Sequence, residues 1–266
     1  ADTGEELWRT NTVPKIGEPN GESWGDVPNE QRRGGSAWMP ASFDPELNLI
    51  FIGVAVPIPW GEIQRGTRGG DVLYTNSTLA LDAETGEIQW YFQYIPAGNW
   101  DQDHPFERLI VETEVTPDAD AVSWMNQNIA SSDRRKVITG IPGKPGIVWT
   151  LDAATGDFLW ATETNYQNII VGVDVERRKG ITNPEIDITE IGQQKLVCPT
   201  TQGGINWNSI GYSPQTNSLY TPTNNTCMNF ALRPVEPTVG LHHASARSSV
   251  DIGPEDTGQV LSLITL

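Results

Sequence analysis

Residues 81–90 read LDAETGEIQW and are the middle copy of a motif that occurs three times. Residues 2–8 read DTGEELW, and residues 151–160 read LDAATGDFLW. The motif predicts a hairpin, in which an Asp-x-x-Thr-Gly turn with its glycine at positive φ leads into a strand that ends in tryptophan. A tryptophan at the same place in every unit is suited to packing between neighbouring sheets.

The segments between the copies also predict turns and strands. Residues 44–52 (DPELNLIFI) and 213–220 (SPQTNSLY) indicate turns that enter buried strands, and further strands are expected over 71–81, 146–151 and 258–266. Convincing helical periodicity over 12 residues is hard to find. Self-similar sheet units indicate a solenoid or a propeller, and propeller blades are four-stranded sheets. We therefore predict an all-β protein, and the residues by themselves leave both a solenoid and a propeller open.

The composition restricts the classes of function. The 266 residues carry a formal net charge of −17, so a basic nucleic-acid footprint and adhesion to an anionic membrane are both disfavoured. No apolar run reaches the roughly 18 residues that indicate a spanning helix, so we expect no transmembrane segment. Ten Trp, 26 Gly and 19 Pro favour many turns and packed rings over a helix bundle.

The chain has two cysteines, Cys198 and Cys227. They are either buried free thiols or a disulfide, and a disulfide would imply an oxidising compartment. Their number alone leaves both interpretations open. Neither cysteine lies in a Cys-x-x-Cys arrangement, which argues against a zinc site or a thioredoxin-type site.

The repeat resembles the tryptophan-docking motif of the quinoprotein alcohol and methanol dehydrogenases, which are eight-bladed propellers that carry pyrroloquinoline quinone (PQQ). The resemblance runs along the whole chain and implies the central portion of such a β-propeller, built from four-stranded antiparallel blades. Residues 1–266 would then be one partial domain of about four of the eight blades, with both ends cut within the repeat. The implied activity is the oxidation of an alcohol by hydride transfer to PQQ.

Four local motifs carry this resemblance and follow the family order. They are GGSAW (34–38), NWDQD (99–103), GKPGIVWTLD (143–152), and a segment from CPT (198–200) through GGINW (203–207) to NTCM (225–228). Trp38 matches the floor on which the flat quinone stacks, and Ser36 matches a residue that can hydrogen-bond the cofactor. Lys144 matches a cation that binds the quinone oxygens. Asn206 matches a cofactor-contacting amide, and Trp207 is expected to line the same side.

The second motif supplies the implied base and metal ligands. Asp101 matches a catalytic carboxylate that takes the alcohol proton while hydride leaves carbon. In the family a metal ion polarises the quinone carbonyl as a Lewis acid, and Asp101 is expected to bind it. Asp103 matches the extra carboxylate of the lanthanide-using branch, since a hard trivalent cation favours additional anionic oxygen ligands. The resemblance therefore implies calcium or a lanthanide, whereas His104 is expected to be a turn residue and not a ligand.

One position departs from the family pattern. Residues 53–60 read GVAVPIPW where the family has Gly-x-Gly-Asn-Pro-x-Pro-Trp, so Val56 stands at the place of a metal-binding asparagine. A valine side chain has no atom that can bind a cation. Either Asp103 and water complete the metal shell or the site is altered, which leaves the identity and the presence of the metal open.

The resemblance also implies partners and a compartment. The spacing of Cys198 and Cys227 matches a disulfide of the methanol dehydrogenases, which implies a bridge between them and a periplasmic or otherwise exported protein. The expected partners are a small-molecule alcohol and a periplasmic cytochrome c-type electron acceptor. Open sheet faces at the two ends of an arc of blades would favour association into an oligomer.

Two other classes of function compete with the redox enzyme. The first is a non-catalytic propeller scaffold that binds protein partners, since a fold does not settle a function. Val56 slightly favours it, because valine replaces a metal-binding residue. A glycan hydrolase has only scattered carboxylates in its favour. The combination of Trp38, Asp101, Lys144 and Asn206 favours the redox enzyme, and it requires Trp38 and Asp101 to lie on opposite sides of one small cavity.

Overall fold

The computed structural model describes residues 3–67, 69–129 and 134–235 and, further along, the backbone of two more strands. The strands, numbered in chain order, are β1 (Arg33–Gly34), β2 (Ser42–Asp44), β3 (Leu49–Gly53), β4 (Pro57–Ile58), β5 (Ser77–Asp82), β6 (Ile88–Gln93), β7 (Leu109–Glu114), β8 (Trp124–Met125), β9 (Arg134–Gly140), β10 (Ile147–Asp152), β11 (Phe158–Glu163), β12 (Ile170–Asp174), β13 (Lys179–Thr182), β14 (Lys195–Val197), β15 (Gly211–Ser213), β16 (Ser218–Asn225), β17 (Cys227–Leu232), β18 (Ala246–Asp251) and β19 (Gly258–Thr265). The helices are α1 (Glu62–Arg65) and 3-10 turns at Gly21–Trp24, Asn29–Gln31 and Pro184–Ile186. Within these described ranges, none of the helices has the length and apolar character needed to cross a membrane.

Two four-stranded antiparallel meanders, the first and second blades, form the centre of the structure. The first blade pairs β2, β3, β5 and β6 in that order, and the second pairs β7, β9, β10 and β11. Strands β15, β16 and β19 pair as three strands of a third blade. The prediction of an all-β propeller with four-stranded antiparallel blades is confirmed.

Additional strands extend these blades. The β12–β13 hairpin joins the edge of the first blade through one parallel pair, Lys179 with Gln93, and β8 adds to the edge of the second. Strands β14, β17 and β18 form a separate sheet, and β1 pairs with β4. The strand expected over 71–81 begins only at Ser77, because the preceding residues form a turn in which the Thr75 amide donates to the Val72 carbonyl.

The repeated turns are closed by their aspartates. Asp82 Oδ1 accepts hydrogen bonds from the amides of Glu84 (2.9 Å) and Thr85 (2.8 Å), and the Gly86 amide donates to the Asp82 carbonyl. The bond from the Thr85 amide is the main cause that lowers the pKa of Asp82. Asp152 closes the corresponding turn of the second blade in the same way. The Asp-x-x-Thr-Gly pattern is therefore a self-contained turn, as the sequence predicts.

Two of the motif tryptophans, Trp8 and Trp90, dock on the turn of the next motif. Trp8 Nε1 donates to the Ala83 carbonyl at 3.1 Å, and Trp90 Nε1 donates to the Ala153 carbonyl at 3.2 Å. A Cβ added to Gly156 would come within 2.5 Å of the Trp90 ring, so only glycine permits this contact. The repeat therefore specifies how one blade sits on the next.

The main hydrophobic core fills the space between the first and second blades. Phe51 and Phe92 of the first blade are fully buried, as is Phe158 of the second, and Trp149 is 2% exposed. The ring centroids of Trp90 and Phe51 lie 5.7 Å apart, and those of Phe92 and Trp149 lie 5.5 Å apart. Such aromatic pairs add about 0.5–1.5 kcal/mol each beyond the burial of their area.

The connections between strands divide the blades into two ends. The turns at 44–49, 82–88 and 152–158 lie at one end, because each joins a strand to its antiparallel neighbour there. The longer connections at 54–76, 94–108, 141–146 and 164–210 lie at the opposite end, here called the loop end. All the expected site residues from Asp101 to Trp207, together with Val56, fall in the loop-end connections.

We predict that Gly156→Ala destabilises the protein by about 2–5 kcal/mol, since it forces both left-handed strain and overpacking against Trp90. Gly66 is the matched control, because it has the same φ of +76° and no atom lies within 4 Å of the position that a Cβ would take. Gly66→Ala should lose only the strain, about 1–2 kcal/mol. Urea unfolding of the two variants measures the difference, and equal losses would contradict the docking role of Gly156.

Candidate functional site

The segment after the first blade alternates between buried anchors and carboxylates. Trp100, Gln102 and His104 are at most 1% exposed, whereas the Asp101 and Asp103 side chains are 17% and 16% exposed. Burial therefore alternates along the segment, and both carboxylates keep partial access to solvent.

Lys144 lies between the two carboxylates. Its Nζ is 2.9 Å from Asp101 Oδ2 and 3.4 Å from Asp103 Oδ2, and its side chain is 6% exposed. The Lys144 amide also donates to the Asp103 carbonyl at 2.9 Å, which ties its loop to the carboxylate segment. The structure thus brings together the expected base, the expected metal carboxylate and the expected quinone-binding cation.

Val56 approaches this cluster through its backbone. Its amide donates to Asp103 Oδ1 at 3.0 Å. The two carboxylates are hard oxygen donors of the kind that calcium and lanthanides prefer, so this pair fits a hard cation. Val56 adds no side-chain donor, and within the described ranges no group of three or more His, Cys, Asp or Glu side chains converges. Asp101 and Asp103 therefore supply only part of a coordination shell.

The charges in the cluster oppose one another. Burial is the main cause that raises the pKa of Asp101, and the negative charge of Asp103 raises it further. The Lys144 ammonium lowers it through its charge and its hydrogen bond, without cancelling the effect of burial. A carboxylate that is partly desolvated and holds a proton more readily than usual suits general base chemistry.

His104 packs beneath the cluster. Its ring stacks on Tyr94, with centroids 4.8 Å apart and planes 9° from parallel, and it lies against Gly143, the residue before Lys144. Nδ1 lies 2.9 Å from the Gln102 carbonyl, which can only accept, so Nδ1 carries the proton. Burial lowers the pKa of His104 to about 3. His104 lies in the irregular segment between β6 and β7, with no turn assigned at its position, and is a fully buried anchor.

The tryptophan motif flanks the cluster. The Ser36 carbonyl accepts from the Ala55 amide, which precedes Val56, and so links the motif to the residue that binds Asp103. Trp38 is 48% exposed and packs edge-on against Phe106 at 6.2 Å between ring centroids. An indole with about half of its surface uncovered offers a flat apolar platform that fits a planar quinone.

Asn206 and Trp207 lie in an open loop. The Asn206 amide nitrogen donates to the Gln202 carbonyl at 3.0 Å, its Oδ1 accepts from the Trp207 amide, and the Trp207 side chain is 70% exposed. The loop reaches the cluster through Gly204, whose amide donates to the Lys144 carbonyl at 2.7 Å. In the structure both side chains bond within their own loop or face outward, and contact with a cofactor stays a prediction.

A disulfide joins Cys198 and Cys227, with an S–S distance of 2.02 Å. This pairing, one of two alternatives left open by cysteine number, is confirmed, and the described part of the chain contains no free cysteine. The bridge ties the end of β14 to the start of β17, next to the loop that holds Asn206. The sequence motifs do not single out Gln102 and His104 as anchors, although their alternation with the two aspartates is the available signal.

We predict that His104 makes stability depend on pH. The unfolded pKa is near 6.5 and the folded pKa is about 3, so its contribution is present above pH 6.5 and is lost as the pH falls toward 3. Between pH 7 and pH 5 the loss is about 2 kcal/mol. His104→Asn should reduce the pH slope by this amount in urea unfolding at both pH values. An unchanged slope would show that His104 takes up a proton without unfolding.

Comparison with known proteins places this geometry in a family. Residues 1–166 match the family model described as PQQ: Glucose/ethanol/alcohol dehydrogenase, beta-propeller domain. The chain is 32% identical over 235 residues to quinohemoprotein alcohol dehydrogenase ADH-IIG of Pseudomonas putida, covering 84% of this chain and 30% of that protein. It is 29% identical over 244 residues to the lanthanide-dependent methanol dehydrogenase of Methylacidiphilum fumariolicum, covering 91% and 37%.

The fold is also similar to solved structures of the same kinds of enzyme. The ADH-IIG structure from Pseudomonas putida superposes with a TM-score of 0.80 at 27% identity, over 99% of this chain and 39% of that one. A europium-containing methanol dehydrogenase superposes with a TM-score of 0.73 at 25% identity, over 91% and 41%. The chain thus spans about a third of the length of the two curated relatives. With its docked tryptophans and its family match over residues 1–166, the chain belongs to the PQQ dehydrogenase β-propeller family.

Proposed function

We propose that the protein oxidises an alcohol by passing hydride to PQQ bound at the loop end. The observation that carries this proposal is the Lys144 contact with both Asp101 and Asp103, on the end of the blades that also holds the half-exposed Trp38. Residues of the four family motifs also lie at this end, in a chain that belongs to this family. We also propose that residues 1–266 form part of a single propeller domain.

Asp101 is the proposed base. Its Oδ2 is paired with Lys144, so we assign Oδ1 as the atom that takes the hydroxyl proton of the alcohol. Its raised pKa, caused mainly by burial, makes the carboxylate a better proton acceptor than an exposed aspartate. The pairing with Lys144 keeps it ionised and oriented before the alcohol arrives.

The remaining side chains hold the quinone. Trp38 supplies a flat surface for stacking, and Ser36 and Asn206 offer polar groups at its rim. Trp207 is assigned to the wall of the same pocket. Lys144 is the proposed donor to the quinone oxygens, where its positive charge would stabilise negative charge that develops on reduction. When bound, PQQ supplies the two-electron acceptor that the protein side chains lack.

Asp101 and Asp103 are the proposed metal ligands in this chain. The bound ion, calcium or a lanthanide, would act as a Lewis acid toward the quinone. Two observations support a trivalent ion. One relative is named lanthanide-dependent, and Asp103 adds a second anionic oxygen beside Asp101. Val56 weakens the shell on its side, so any further ligands must come from elsewhere.

The proposed partners follow from the chemistry. A reduced quinone must pass its electrons on, and we propose a cytochrome c-type acceptor, which the names of the quinohemoprotein relatives support. The Cys198–Cys227 disulfide supports an oxidising compartment such as the periplasm. A non-catalytic scaffold is the second candidate, since Val56 removes a metal ligand. Absorbance of bound quinone in the purified protein distinguishes the redox enzyme from the scaffold.

We expect Asp101→Asn to lower kcat by about 10²–10⁴-fold, because it removes the base but keeps the shape of the side chain. The measurement is dye reduction with alcohols after reconstitution of the full protein with PQQ and calcium or a lanthanide. Asp174→Asn is the control, since Asp174 is also partly buried and pairs with an arginine, Arg177, at 3.8 Å outside the site. Full activity in Asp101→Asn would exclude the assigned base.

Trp38→Ala should weaken PQQ binding by about tenfold or more, since a stacked aromatic surface is worth roughly 1–3 kcal/mol. Phe43→Ala is the matched control, because Phe43 is 53% exposed and adjoins the Asp44 turn at the opposite end of the blades. Quenching of tryptophan fluorescence by added PQQ measures both affinities. Equal affinities in the two variants would refute stacking on Trp38.

A further inference from the structure

The buried side chain of Gln102 joins the carboxylate segment to the disulfide segment. Its Nε2 donates to the Pro199 carbonyl at 3.1 Å and to the Thr200 carbonyl at 3.3 Å, and the residue is fully buried. Pro199 and Thr200 directly follow Cys198. A buried amide with two such bonds is costly to remove, since it leaves backbone carbonyls without their donor.

The disulfide segment also holds the lysine. The Thr200 carbonyl accepts from the Gly203 amide at 2.8 Å, and the neighbouring Gly204 amide donates to the Lys144 carbonyl at 2.7 Å. The segment therefore contacts both sides of the ion pair, through Gln102 on the carboxylate side and through Gly204 on the lysine side.

We propose that Gln102 is a positioning residue, through which the segment closed by the Cys198–Cys227 disulfide sets the separation of Asp101 and Asp103 from Lys144. This inference rests on the proposed function for its catalytic consequence. The contacts themselves are independent of the cofactor, so they can be tested in the protein without it.

The physical reason lies in the alternation of the segment. Gln102 lies between the two aspartates in the chain and is fully buried, whereas they keep some access to solvent, so a rotation or slide of its backbone moves both carboxylates together. Its Oε1 has no hydrogen-bond partner among the described residues, which leaves the two Nε2 bonds as its polar anchors. Loss of a residue that orients a ligand or base in this way reduces affinity or activity by about 10–100-fold.

The first test is Gln102→Met, which keeps the length of the side chain and removes both bonds. Gln93→Met is a closely matched control: Gln93 is 1% exposed, its Nε2 donates to the Asp71 and Thr75 carbonyls, and its Oε1 also lacks a partner among the described residues. Both variants should lose similar stability. Only Gln102→Met should speed hydrogen exchange of the Lys144 amide, which is bonded to the Asp103 carbonyl, by about tenfold.

The loaded full protein gives a second measurement. Gln102→Met should reduce kcat by about 10–100-fold with a smaller change in KM for the alcohol, since it displaces the base and not the substrate pocket. Gln93→Met should leave kcat unchanged. Equal effects of the two substitutions on the Lys144 amide and on kcat would overturn the proposal.

Removal of the disulfide tests the same link from the other side. Cys198→Ala/Cys227→Ala should also speed exchange of the Lys144 amide, and combining it with Gln102→Met should add little, because both act through Pro199 and Thr200. The measurement on the variant without the disulfide can be made even if Gln102→Met does not fold. An unchanged Lys144 amide without the disulfide, or fully additive effects, would refute the proposal.

Failure of the proposed function gives a different result. If the wild-type protein binds no PQQ yet the Lys144 amide responds to Gln102→Met and to loss of the disulfide, the positioning role stands and the redox assignment fails. If PQQ binds and the alcohol is oxidised while the amide responds to neither change, the redox assignment stands and the positioning role fails.

Discussion

The docking of a motif tryptophan on the glycine turn of the next blade, made by Trp8 and Trp90, is the constraint on which the rest of the structure depends. Trp90 leaves the first blade, covers Gly156 of the second and donates to the Ala153 carbonyl. A ring held on one face by close contact and at its edge by a hydrogen bond fixes both the distance and the orientation of two sheets. The relative placement of the loop-end connections of these two blades follows from it.

The candidate site needs that placement because it is assembled from two blades. Val56 lies in a connection of the first blade, Lys144 in one of the second, and Asp101 and Asp103 in the segment that joins them. The contact of Asp103 with both Val56 and Lys144 therefore spans the boundary between blades. A shift of one blade against the other would separate these atoms, so packing far from the site controls its geometry.

Buried polar side chains fix the joining segment itself. Arg108 is 5% exposed, and its guanidinium donates to Thr78 Oγ1 and to the His104 carbonyl, both at 2.7 Å, so it ties the segment to the first blade. Burial lowers the pKa of Arg108, and the backbone carbonyls of Ser77 and His104 are among its partners. Together with Gln102 it anchors the segment that carries Asp101 and Asp103 to Lys144. Polar anchors of this kind give a single arrangement where apolar side chains would allow several.

The sequence by itself determined the blades, because the Asp-x-x-Thr-Gly turn is closed by local hydrogen bonds and the repeated tryptophan packs on the glycine of the next turn. It also singled out Asp101, Lys144 and Cys198, since the motifs that hold them are short and recognisable. Only the tertiary structure decided that Lys144 bonds both aspartates, that residues 71–76 turn before β5, and that His104 is buried. These outcomes depend on contacts between residues far apart in the chain, such as Gln102 with Pro199, and no local pattern of residues encodes such a contact.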